Sequence, residues 1–168
     1  MQDVNVVVVF QSRFGATEHL ALAAAVGAVQ GSALIRLRWL AEESGSDDPE
    51  RPRMMREYVG PRETDANWAE AIVLAIPDRH ASLTPEFQSY LDSLRQMHEQ
   101  GKLAAKCAVV VTAGAASNRF REAVAAVGIE VLPAASGADS ATAARLSGRA
   151  LAEHVRATRG HQAKSNFV

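Results

Sequence analysis

Cysteine is nearly absent: Cys107 alone stands among 168 residues, which excludes an intramolecular disulfide framework. It falls in the apolar run Cys107-Ala108-Val109-Val110-Val111, where a small buried hydrophobe is expected. Aromatic residues make up 5% of the chain, and neither tryptophan falls in a predicted ligand-facing loop. Trp39 and Trp68 flank predicted strands, where packing is their expected role. No apolar run approaches the roughly 20 residues of a membrane-spanning helix, and no basic-then-apolar leader opens the chain. The expected setting is therefore cytoplasmic, with no membrane partner. Charge of one sign is also scarce. Eighteen basic and nineteen acidic residues leave a net charge of −1, which supplies no electrostatic footprint for nucleic acid. Catalytic signatures are missing too. There is no GxxxxGK[ST], no GxGxxG after the first strand, no GxSxG and no CxxC. The histidines (His19, His80, His98, His154 and His161) show no HExxH spacing, so no metal is expected.

What is present is an alternation of buried strands and helices within one domain of residues 1–168. Continuous apolar runs predict strands covered on both faces at Val4–Phe10, Ile72–Ile76, Cys107–Thr112 and, more weakly, Ile129–Leu132. The segment Ala33–Arg38 alternates apolar residues with arginine, which predicts an edge strand wet on one side. Helices are predicted from Thr17 to about Val29, from Pro85 to about His98 behind a Thr84 cap, from Asn118 to a stop at Gly128, and from about Ala141 to Ala157. The expected fold is α/β, a three-layer sandwich around a five-stranded parallel sheet of order 2-1-3-4-5. Residues 42–61, with Ser44-Gly45-Ser46-Asp47-Asp48-Pro49, read as a long mobile loop. Residues 160–168 read as a frayed tail.

In such a sheet a ligand sits at the carboxyl ends of the first, third and fourth strands. The first strand runs directly into Gln11-Ser12-Arg13-Phe14-Gly15-Ala16-Thr17 and then a helix. Backbone N–H groups at that helix start, with the hydroxyls of Ser12 and Thr17, predict a phosphate cradle. Gly15 allows the turn, Arg13 can add a charge-assisted contact, and Glu18 is compatible if it points outward. The second loop offers Pro77, Asp78, Arg79 and His80. Arg79 can bond to a carbonyl-rich ring, and His80 can stack on one or bond to a substrate oxygen. The third loop, Thr112-Ala113-Gly114-Ala115, is small enough for backbone to approach a ring edge.

At these residues the chain resembles the flavodoxin-like FMN proteins, in particular the Wrb-type NAD(P)H:quinone oxidoreductases and the NADPH-dependent FMN reductases. Ser12-Arg13-Phe14-Gly15-Ala16-Thr17 is similar to that family's phosphate loop. Pro77-Asp78-Arg79-His80 is similar to its ring-cupping loop, with His80 where an aromatic usually sits. Tyr90-Leu91-Asp92, Gly101-Lys102-Leu103-Ala104 and Ala143-Ala144-Arg145-Leu146-Ser147-Gly148-Arg149 resemble further family segments. The glycine- and histidine-rich insertion that follows the family's fourth strand is missing. The resemblance implies FMN as cofactor, NAD(P)H as co-substrate and a quinone or similar small-molecule electron acceptor. It further implies His80 as the residue at the flavin ring and a homodimer or homotetramer. A flavodoxin-type electron carrier and a flavin-free binding module are the alternatives.

Overall fold

The computed structural model describes residues 2–43, 47–77, 83–113 and 118–165. Its sheet is five-stranded and parallel, in the expected order 2-1-3-4-5. The strands are β1 (Val4–Phe10), β2 (Ala33–Trp39), β3 (Ala71–Ile76), β4 (Cys107–Thr112) and β5 (Glu130–Leu132). Each central strand is buried along nearly its whole length, as its unbroken apolar run requires. The register places Val6 beside Ala71 and Ile35, and Ala71 beside Cys107. Cys107 is buried as expected, and burial pushes its thiol up to about 12.

Helices α1 (Ala16–Gln30) and α6 (Ser140–Ser165) cover one face of the sheet. Here the core is built from Val6, Val8 and Phe10 against Leu20, Ala24, Ala144 and Leu151. The opposite face packs Val7, Val9, Ile72 and Leu74 against α4 (Pro85–Glu99) and α5 (Asn118–Ala125), through Phe87, Leu91, Leu94, Phe120 and Val124. Thr84 caps α4 as predicted, its hydroxyl accepting from Phe87 N at 3.2 Å.

Two helices stand where none was expected. The segment read as a loop holds α2 (Arg51–Glu57), whose Met54 is fully buried in the α1-side core. After it comes α3 (Glu63–Trp68). Its Asp65 carboxylate takes Arg38 at 2.8 Å and Arg36 at 3.1 Å. Both arginines of the alternating strand are thus paired across the sheet edge rather than simply solvated. The last helix is also longer than its periodicity suggested, continuing from Ser140 to Ser165. Among the described residues no helix is long and apolar enough to cross a membrane.

Candidate functional site at the carboxyl edge of the sheet

Strand β1 delivers Gln11 and Ser12, both buried, to the mouth where β1 and β3 part toward different neighbours. The chain then turns through two consecutive left-handed residues, Phe14 (φ 59°) and Gly15 (φ 82°). Glycine adopts this conformation at little cost, which is why it caps the helix. Gly15 is the N-cap residue and makes no side-chain cap. Ser12 Oγ closes part of the gap by accepting from Glu18 N at 3.1 Å. Among the described residues none accepts from the N–H groups of Gly15, Ala16 or Thr17. Such a helix start, with its aligned donors and positive dipole end, is receptive to an anion.

The acidic segment after β2 reaches this loop. Asp48, 5% exposed, accepts from Phe14 N through Oδ2 at 3.2 Å and from Glu50 N through Oδ1 at 2.9 Å. Asp47 pairs with Arg13 at 2.8 Å, so the arginine read as a phosphate contact is engaged with a carboxylate. Glu18 does not point outward to water. It is buried and forked by Arg53, with Nη2 to Oε1 at 2.7 Å and Nη1 to Oε2 at 3.0 Å. That hydrogen bonding, aided by Tyr58 and opposed by burial, holds the Glu18 carboxyl below its ordinary pKa. Arg53 also bonds Glu50 and Glu57, which raises its own pKa further. Tyr58 beside Glu18 is pushed up to about 12 by burial and by its bond to that carboxylate.

Gln11 is the functional candidate that the sequence reading passed over. Its Oε1 accepts from Thr84 Oγ1 at 3.0 Å, which ties the first loop to the start of α4. Its Nε2 is buried with no partner among the described residues. The available signal was a polar residue directly continuing a buried apolar strand. On the far side of the mouth, Glu43 N donates to Glu86 Oε1 at 2.9 Å, anchoring the acidic segment to the first turn of α4.

Of the second loop, Pro77 is described and buried, whereas Asp78, Arg79 and His80 lie outside the described residues. Of the third, Thr112 is half-buried at the end of β4 and Ala113 is exposed, and Gly114 and Ala115 lie outside the described residues. A cavity of about 450 Å³ opens at the carboxyl ends of β4 and β5, lined by Thr112, Ser136, Ser140 and Ser147 among others. No residue of the Gln11–Thr17 loop lines it, so it lies to one side of the anion-receptive turn. Among the described residues no group of three side chains could hold a metal ion.

No protein-family model and no curated protein matches the sequence. Solved structures do match. The flavodoxin, WrbA-like protein from Agrobacterium tumefaciens is 21% identical with a TM-score of 0.63, over 92% of this chain and 99% of that one. A flavodoxin from the domain Archaea is 15% identical with a TM-score of 0.62, over 91% and 99%. Two-electron reduced Megasphaera elsdenii flavodoxin is 12% identical with a TM-score of 0.58, over 86% and 98%. With its parallel 2-1-3-4-5 sheet, helices on both faces and a polar loop after β1, this chain has the flavodoxin-like fold.

Proposed function

We propose that this chain is an FMN-binding redox protein that passes hydride from NAD(P)H to a quinone or similar small-molecule acceptor. One observation carries the reading: at the switch point between β1 and β3, the Phe14–Gly15 turn presents the N–H groups of Gly15, Ala16 and Thr17 without an acceptor among the described residues. Those donors fit a phosphate. Gln11 Nε2, buried and without a partner among the described residues, adds another donor at the same mouth. Asp48, which reaches the loop from the segment after β2, opposes an anion there.

In this reading Gly15, Ala16 and Thr17 hold the phosphate through backbone donors, and Ser12 fixes the loop through its bond to Glu18 N. Thr112 and Ala113 bring small side chains to the ring's edge, and Pro77, Asp78, Arg79 and His80 border the ring. Bound FMN supplies the hydride chemistry, and the protein supplies position and electrostatics. No general acid or base among the described residues is required. A homodimer or homotetramer accords with Leu22, Val26 and Val29, exposed apolar residues at helical spacing on α1.

The test is an FMN titration followed by NAD(P)H oxidation with a quinone. The expected outcome is yellow protein with dissociation in the micromolar range or tighter, about −8 kcal/mol, and turnover. Flavin binding without turnover points to an electron carrier. Absence of binding rejects the proposal and favours the flavin-free module, the reading to which the Asp48 carboxylate bonded to the loop lends weight.

A further inference from the structure

The phosphate loop is already answered in part by the protein's own carboxylates. Asp48 Oδ2 takes the N–H of Phe14, the residue that opens the left-handed turn, at 3.2 Å. The side chain is held from both sides, because Oδ1 takes Glu50 N at 2.9 Å, and the residue is almost wholly buried. A carboxylate and a phosphate present the same chemistry to a backbone N–H, an anionic oxygen. Asp47 meanwhile engages Arg13, the cation closest in sequence to the turn. Glu18 is a separate case, since its charge is met by Arg53 rather than by the loop's backbone donors.

We infer that Asp48 is an internal stand-in for a ligand phosphate and sets how strongly the site prefers FMN over riboflavin, the same ring and ribityl chain without the phosphate. The inference rests on the flavin reading above. A phosphate entering the turn meets a buried negative charge held on Phe14 N, the backbone donor next to the ones it would use. It must either tolerate that charge or break the bond between Asp48 and Phe14 N, and both outcomes weaken FMN binding. Riboflavin meets neither cost.

The experiment titrates FMN and riboflavin into the wild type, Asp48→Asn and Asp48→Ala, with thermal melts to verify folding. In parallel, inorganic phosphate is added while the backbone amides of Gly15 and Ala16 are followed by heteronuclear NMR. Losing the charge should raise FMN affinity roughly tenfold or more, the size of one charge-assisted hydrogen bond, while riboflavin affinity stays within roughly twofold. Unchanged or weaker FMN binding in both folded variants overturns the inference. So does an equal gain for both flavins, which would make Asp48 a plug and not a phosphate competitor. If no flavin binds any of the three proteins, the flavin reading fails and the phosphate titration decides alone. A response at roughly tenfold lower phosphate in the variants then supports the competitor role, and an unchanged response refutes it. If both variants unfold, the wild type decides: FMN held roughly a hundredfold more tightly than riboflavin refutes the inference, and near-equal binding upholds it.

Discussion

Helix α1 is held along its body by backbone packed on backbone, and at its N-terminus by charges contributed from α2 and the segment that precedes it. Along the body, a Cβ placed on Gly27 would lie 1.8 Å from Arg145 O of α6, and one placed on Gly148 of α6 would lie 2.0 Å from Ala24 O. Ala21, Ala24, Ala28, Ala144 and Ala152 complete that seam and are all buried. Shape alone decides this contact, and it has no slack. At the N-terminus the fastenings are Arg53 on Glu18 and Asp48 on Phe14 N. Ion pairs and oxyanions can be exchanged for a ligand or for a proton, whereas a glycine seam cannot. Rigidity and response therefore sit at different points of one helix.

The comparison breaks most visibly at the seam. Replacing Gly148 with valine should cost about 3 kcal/mol of unfolding free energy, the upper range for overpacking. Urea denaturation measures it, and a loss below about 1 kcal/mol would show that the two helices part easily.

Acid should act on the other end. Glu18 has a lowered carboxyl pKa in the folded chain, so its contribution to stability is complete above its ordinary value of 4.5 and is lost as pH falls through the lower folded value. Asp65 has the same sign: burial works against its ionisation, but bonds from Arg38, Arg62 N and Arg36 outweigh that cost. The melting temperature should therefore drop on acidification below that range. Arg53→Gln should make the drop shallower without abolishing it, since Asp65 keeps its arginines. Parallel curves for wild type and variant would remove Glu18 from the acid response.

The smallest effect is expected at the turn itself. Gly15→Ala imposes a left-handed conformation on a residue with a Cβ and should cost about 1 kcal/mol. No neighbour crowds that position, so the cost is conformational, and on the proposed flavin reading FMN affinity should fall with it. An alanine variant as stable as the wild type would mean that the turn relaxes to another geometry.

Much of the fold was legible because parallel strands buried on both faces write themselves as apolar runs. Val4–Phe10 and Cys107–Thr112 match their predicted bounds. The alternation in Ala33–Arg38 correctly marked an edge, yet it could not show that Arg36 and Arg38 share Asp65. Helix α2 was hidden for a physical reason. Seven residues are too few to be helical by propensity alone, and α2 is fixed by buried Met54 and by Arg53 reaching Glu18. At the site, the positive-φ turn was legible in Gly15, whereas Gln11 became a candidate only once its amide was found buried beside Thr84.

The sequence by itself determined the alternation of elements, the strand order and the receptive loop after β1. All three follow from local periodicity and from the handedness of parallel crossovers. Only the tertiary structure decided what faces that loop. Asp48 meets Phe14 across 34 residues and Arg53 meets Glu18 across 35. Pairings at that distance leave no local pattern in the chain, because they form only when β2 and α2 bring two charged segments to the same edge of the sheet.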